Sequence, residues 1–385
     1  MKTVMRAGAF KQAFLAFFIS ALIFMMVYFT VPACAGSPIC DIFTTGQDQS
    51  ALTKIEQPTS YDSRVFLLPL QPFLHIFLHF IPFFQAGNLA AVFLTLFFAS
   101  CVSGLIILTA RHAGIRSIFA WLLIAVYITN WNTIFAVITG SGVLMLVFFL
   151  LLVFVYLAQW HSDHYWLALV WIGLGMALAV VAQFTAIFFL LLPVLNALII
   201  AFKEKPNNVY YAENALWIML TPLLYVIIVR FLFGYVMVGD PFAFYRIESG
   251  VVQLLTNKQP IIPHFIPRLV LLIHDFFSTI WFAYAPFVLV SAVAILISIL
   301  KKKFFPIFST LMVWLPLLVL RTAKQIGLYN YSSLMTALLV ASTSIIVIIS
   351  ALKLKKYRMI YLIATILLLV IWNGLEWITL FNIAS

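Results

Sequence analysis

Long apolar runs alternate with short polar breaks along most of the chain. The runs lie near 13–32, 89–110, 117–137, 142–159, 165–182, 184–202, 213–236, 279–300, 304–320, 332–352 and 357–380. Each approaches the roughly 20 predominantly apolar residues that a helix needs to cross a bilayer. The pattern predicts an all-α fold: a polytopic transmembrane helix bundle of about 11 spans, forming one domain over residues 1–385. Two stretches interrupt it, 33–87 and 237–277. The first opens with Asp41, Asp48, Glu56 and Asp62, then passes into an aromatic segment, 65–84, cut by Pro69, Pro72 and Pro82. In the second, Ile266, Leu269, Leu272, Ile273 and Phe276 fall on one side of a helix over 264–277, the pattern of an amphipathic helix lying on a membrane surface.

Charge sets the expected orientation. With the N-terminus inside, the inner breaks hold fourteen of the twenty-two Lys and Arg residues, including Arg111, Arg116 and the clusters at 301–303 and 353–358. The outer breaks hold seven: Lys54, Arg64, Arg246, Lys258, Arg268, Arg321 and Lys324. A crossing at 65–84 would flip every later break and turn the lysine clusters outward, against the preference for positive charge on the cytoplasmic side. Segment 65–84 is therefore expected as surface or re-entrant helices within the first outer loop, their ends marked by prolines. This pattern implies a multi-pass protein with a cytoplasmic N-terminus and an extracytoplasmic C-terminus; the inner or plasma membrane of a prokaryote is the expected location.

Composition agrees. The chain is 65% hydrophobic and 9% charged, where soluble domains carry about 25% charged residues. Its net charge of +11 sits in the breaks between spans and is not a nucleic-acid footprint. The N-terminal run follows Lys2, Arg6 and Lys11, and Val31-Pro32-Ala33-Cys34 faintly resembles a cleavage site. The run exceeds the ~7–15 residues of a signal peptide, so a retained first span is expected. Cys101 falls in an apolar run as an inert core residue. Cys34 and Cys40 share the first outer loop, where their spacing permits a disulfide without requiring one.

Candidate chemistry is confined to the outer face. Asp41 and Asp48 stand just beyond the first span, where a carboxylate can serve as general base toward an acceptor hydroxyl. Asp240 precedes Pro241 directly after a span, the arrangement of a helix cap followed by proline in the first turn. Arg64 and the other outer cations suit either a phosphate or lipid headgroups; Arg321, Arg246 and Lys324 are the candidates for a phosphate. Arg230 and Glu376 are ionisable groups inside spans, costly in lipid and hence functional candidates. Arg230 lies near the outer end of its span, where its side chain can snorkel to the surface, and Glu376 belongs to Trp372-Asn373-Gly374-Leu375-Glu376-Trp377 near the outer surface. His75 and His79 share a helical face at a metal-binding spacing but have no third ligand, so no metal site is assigned.

In layout and in weak local motifs the chain resembles the GT-C class of integral-membrane glycosyltransferases. The first outer loop with its early acid is similar to that family's acidic loop, and Tyr61-Asp62-Ser63-Arg64 through Pro69, Pro72 and Phe73 to the proline-aromatic segment that follows it. Ile107 to Gly114 resembles the basic inner end of the second span, and Gly173-Leu174-Gly175 with Ala177 and Ala179 a small-residue helix before an outer turn. Gly239-Asp240-Pro241-Phe242 resembles a recurrent loop of the class, and Tyr329-Asn330-Tyr331 sits where many members carry an Arg-Tyr pair. The chain departs from the class in having no adjacent Asp-Glu pair in the first loop, no acid in Ile138-Thr139-Gly140-Ser141-Gly142, and Asn330 in place of the late arginine.

The resemblance implies transfer of a sugar from a polyprenyl-phosphate donor to an acceptor on the outer face. Asp41, with Asp48 second, would be the base, and Arg321, with Arg246 or Lys324, would bind the donor phosphate. No soluble cofactor is implied; a divalent metal occurs in the class, but nothing here forms a ligand set. Membrane lipid and the lipid-linked sugar are the expected partners, with a partner protein open. Two alternatives stand beside it: a non-catalytic subunit of the same architecture that binds a lipid or a protein, and a lipid or ion transporter. The transporter ranks last because the runs at 89–110, 142–159 and 184–202 are nearly free of charged or polar residues.

Overall fold

The computed structural model describes residues 7–30, 89–140, 143–163, 166–182, 186–204, 209–242 and 358–384, with scattered residues between 288 and 314. Every regular element among them is a helix. The first outer loop, most of 237–277, the expected span at 304–320 apart from Trp314, and that at 332–352 lie outside the described residues. The chain divides into two compact units, one built from 1–62, 73–151 and 336–385, the other from 63–72 and 152–335.

In the first unit, α1 (Ala7–Thr30) packs along α2 (Leu89–His112). Phe17 meets Phe97 edge-on with ring centroids 5.6 Å apart, and Gly104 faces the carbonyl of Ala13, so the two helices are antiparallel. Thr30 and Leu89 therefore lie at the same end of the unit. Gly114, at φ +62°, stops α2. The N–H of Gly114 donates to the Arg111 carbonyl and that of Ile115 to the Ala110 carbonyl, the paired bonds of a Schellman turn, which satisfy carbonyls left over at a helix C-terminus. Arg111 then donates to the Ser117 hydroxyl, which in turn donates to Gln12 Oε1. This end of the unit carries Lys11, Arg111 and Arg116.

The expected span 117–137 is two helices, α3 (Ser117–Thr129) and α4 (Trp131–Ile138), bent by 58° at Asn130. The hydroxyl of Tyr127 donates to the Ala99 carbonyl, fixing α3 antiparallel to α2. The unit also holds the start of α5 (Val143–Asp163), whose Phe148 and Phe149 pack on Phe98, and α9 (Arg358–Ala384), which packs on α3 and α4.

The second unit holds the rest of α5 with α6 (Trp166–Ala182), α7 (Ile187–Glu204) and α8 (Val209–Val238). Trp166 meets Tyr211 at 4.9 Å near the start of α6 and α8, while Arg230 reaches Val181 near their ends, so these helices are parallel. Gly173 is where they come closest: a Cβ built there would stand 2.6 Å from the Met219 carbonyl oxygen. Only glycine fits such an approach, the device membrane helices use to bring backbones together.

Among the described residues, four helices are long and apolar enough to cross a bilayer, within α1, α2, α8 and α9, and five if the bent pair α3–α4 counts as one span. They divide by surroundings. Of the apolar window in α2, 78% is buried, against 22% in α1, 17% in α8 and 28% in α9. Phe10, Phe14, Met26, Tyr225, Ile228, Ile360 and Ile371 are exposed on the latter three. Apolar side chains on every face of an exposed helix would aggregate in water and match the hydrocarbon of a membrane. Several long apolar helices of this kind are compatible with a multi-pass membrane protein.

Candidate functional site

The break at Asn130 organises the most connected polar cluster among the described residues. A helix that stops leaves its last carbonyls without intrahelical partners, and in lipid no water can replace them. Helix α9 supplies the donors. Asn373 Nδ2 donates to the Val126 carbonyl at 2.8 Å and to Thr129 Oγ1 at 3.2 Å, and Trp377 Nε1 donates to the Thr129 carbonyl at 2.9 Å. Asn373 and Trp377 are four residues apart, so they project from one face of α9 toward the end of α3.

Asn130 answers in the other direction. Its backbone is extended, with φ −69° and ψ 129°, which ends α3; its Oδ1 then accepts the N–H of Asn132 and so caps the start of α4. Its Nδ2 donates to Asn373 Oδ1 at 3.0 Å and to Glu376 Oε2 at 3.1 Å. Asn130 and Asn373 are buried, whereas Glu376 is half-buried. Aromatic rings frame the cluster. Trp131 meets Trp377 edge-on at 5.3 Å and leans on Phe135 at 6.0 Å, and Val27 of α1 packs beside them. The whole arrangement sits at the end of the unit where α1 finishes and α2 begins. Thr133, one turn beyond Asn130, buries a hydroxyl that has no hydrogen-bond partner.

In the second unit, Arg230 differs from the snorkelling side chain expected of it. It is 7% exposed, and its Nη2 donates to the Val181 carbonyl at 2.7 Å, one residue before α6 ends. A cation at a helix C-terminus meets both unsatisfied carbonyls and the negative end of the helix dipole. The side chain therefore stays inside the unit and covers α6.

Of the residues singled out in the two long outer loops, Asp240 and Pro241 are described. Gly239 takes φ +73° at the end of α8, and its N–H donates to the Tyr235 carbonyl. Asp240 Oδ1 accepts the N–H of Phe242 at 3.0 Å, a local cap with Pro241 between. Phe242 folds back on Phe231 at 5.1 Å. Cys101 is a free thiol, partly buried in α2. Asp41, Asp48, Arg64, Arg246, Arg321, Lys324, Cys34 and Cys40 lie outside the described residues, as do Glu56, Asp62, His75 and His79.

Among the described residues, Glu376 is the sequence-derived candidate that the structure joins to a side-chain network. Asn130 and Asn373 were not singled out, although a trace of both is legible. Thr129-Asn130-Trp131-Asn132-Thr133 is a polar island inside an apolar run, and Asn373 neighbours Glu376 in its own run. No protein family, no curated protein and no solved structure matches this chain.

Proposed function

We propose that this chain is an integral-membrane glycosyltransferase of GT-C-like architecture, with about 11 spans, acting at the extracytoplasmic surface on a polyprenyl-phosphate-linked sugar. The observation that carries the reading is the Asn130–Asn373–Glu376 cluster, a polar site set in apolar helices. It lies at the end of its unit from which the acid-bearing segment 31–88 departs and to which it returns. Because α1 and α2 are antiparallel, that segment starts and finishes on one side, as a loop that does not cross at 65–84 requires. The asymmetry of charge supports the same orientation. Lys11, Arg111, Arg116 and Arg358 belong to the opposite end, and no described Lys or Arg stands at the Asn130 end of the first unit.

In the reaction, the carboxylate of Asp41, or of Asp48, takes the proton of an acceptor hydroxyl. The acceptor oxygen attacks the anomeric carbon from the face opposite the phosphate, and configuration inverts. The bond from that carbon to the phosphate oxygen breaks, and polyprenyl phosphate leaves with the electron pair. Arg321, with Arg246 or Lys324, stabilises the negative charge that grows on the leaving group. The apolar helix faces accommodate the prenyl chain.

Asp41→Asn and Asp48→Asn test the reading on the full chain in nanodiscs, with radiolabelled polyprenyl-phosphate hexose and membrane extract as acceptor. One of the two variants should lose transfer by about a hundredfold or more, the usual range for a general base, while keeping the helical content of the parent. Unchanged transfer in both defeats the catalytic assignment. It would leave the non-catalytic subunit, which the broad exposed apolar faces of α1, α8 and α9 also suit.

A further inference from the structure

The end of the first unit opposite the Asn130 break gathers positive charge with nothing to balance it. Lys11 of α1, Arg111 in the last turn of α2 and Arg116 at the start of α3 are all exposed. Among the described residues of this unit Glu376 is the one acid, and it stands at the other end. Hydrogen bonds join the three helices here. Arg111 Nη1 donates to Ser117 Oγ at 3.1 Å, and Ser117 Oγ donates to Gln12 Oε1 at 3.2 Å. Lys11 neighbours Gln12 and Arg116 neighbours Ser117, so these bonds bring the backbones that carry all three cations together. Their long, flexible stems let the heads converge on a shared ligand.

A cation that only sets orientation must be positive and needs no fixed position. Arg111 is held in place, and by neutral groups, so its charge is positioned without being cancelled. A guanidinium has five N–H donors, and the bond to Ser117 uses one. Depth indicates the ligand. The apolar window of α2 ends at Arg111, that of α1 begins at Gly8, and the broken span starts at Ser117. The cations therefore stand where hydrocarbon gives way to headgroups, and basic groups between helices at that level suit lipid phosphates. The start of α3 adds to this. Arg116 occupies its N-cap and makes no side-chain capping bond. A cation at the positive end of a helix dipole is an unfavourable pairing that an anion relieves.

We infer that Lys11, Arg111 and Arg116 form a binding site for the phosphate of an anionic phospholipid, in the leaflet at that end of the first unit. The fork of Arg111 takes two phosphate oxygens, and Lys11 and Arg116 attract the headgroup as nearby charges. The site depends on these helices lying in a membrane and is independent of the glycosyl-transfer reading, so transfer plays no part in its test.

The full chain, in a neutral detergent, is titrated with short-chain phosphatidylglycerol and, separately, with phosphatidylcholine of the same acyl length, and bound lipid is counted by native mass spectrometry. The parent should bind the anionic lipid about tenfold or more tightly, since each Lys or Arg near an anionic surface is worth about fivefold. Lys11→Gln and Arg116→Gln, at exposed positions, should each lower that preference severalfold. Arg111→Lys and Ser117→Ala keep the net charge; the first removes the fork and the second its anchor, and both should weaken binding of the anionic lipid severalfold. Because Ser117→Ala touches the α2–α3 turn, Gln12→Leu on α1 serves as a second charge-neutral variant and should act in the same direction. No preference for the anionic lipid in the parent overturns the site. So do charge-neutral variants that all bind like the parent while Lys11→Gln and Arg116→Gln bind less, which would make the attraction one of diffuse charge. Displacement of the lipid by an equal concentration of inorganic phosphate would make this a site for a soluble anion, and overturns the lipid assignment.

Discussion

Both units end a helix in apolar surroundings, and they satisfy the exposed backbone in different ways. In the first, α3 stops at Asn130 and its carbonyls are met by two side chains of α9, with Asn130 itself returning bonds to Asn373 and Glu376. In the second, α6 stops at Ala182 and one guanidinium from α8 reaches the last turn. Helix α8 can deliver Arg230 there because Gly173 lets the two helices run together, so that their ends stay in register. The first solution spreads the task over several neutral groups and leaves a carboxylate half-buried. The second concentrates it in one charge and one missing side chain. A distributed network should lose stability gradually under substitution, and a concentrated one abruptly.

The sharpest test of that difference is Gly173→Leu. Its Cβ meets backbone, the Met219 carbonyl, which cannot rotate away. The α6–α8 contact should open at a cost of about 3 kcal/mol or more, the upper range of overpacking, read as a shift of the unfolding midpoint in mixed micelles with sodium dodecyl sulfate. A cost below about 0.5 kcal/mol, typical of an indifferent surface site, would show that the helices do not depend on this approach. Next comes Arg230→Met, which keeps the length of the side chain and removes the donor to Val181. Leaving a buried carbonyl without its donor should cost about 1–3 kcal/mol, and Arg230→Lys should recover part of it.

In the first unit the effects should be smaller. Asn373→Leu removes donors to Val126 and Thr129 and the acceptor for Asn130. Interhelical hydrogen bonds between membrane helices average about 0.6 kcal/mol, so a loss of about 1–2 kcal/mol is expected from the set. A double cycle of Asn130→Ala with Asn373→Leu should show coupling, because the two are bonded to each other. Smallest is Glu376→Gln, which keeps an acceptor for Asn130 and should shift the same midpoint by less than about 0.5 kcal/mol. A loss as large as that of Arg230→Met would mean that charge, and not a shared network, holds the break.

Much of the architecture could be read in advance because hydrocarbon imposes a simple rule: a crossing needs a long apolar run that closes its own backbone bonds. The runs near 89–110 and 213–236 appear as α2 and α8 with ends displaced by a few residues. The glycine that ends α2 and the Gly239-Asp240-Pro241 turn are local features, set by φ > 0 and by a cap two residues long, and are equally legible. The bend at Asn130 is not. Apolar residues continue on both sides of it, and the polar island becomes a break only because α9, more than two hundred residues later, brings Asn373 and Trp377 to the freed carbonyls.

The same division holds for individual side chains. The sequence by itself determined that the chain is helical and membrane-like, and that ionisable residues inside its spans are few and costly. Which way Arg230 turns, whether Glu376 stands alone or in company, and which helices are sheathed by others were decided by the tertiary structure. The physical reason is that hydropathy depends on one residue's own chemistry. The partner of a buried polar group depends on which distant helix packs against it, and composition along the chain does not encode that distance.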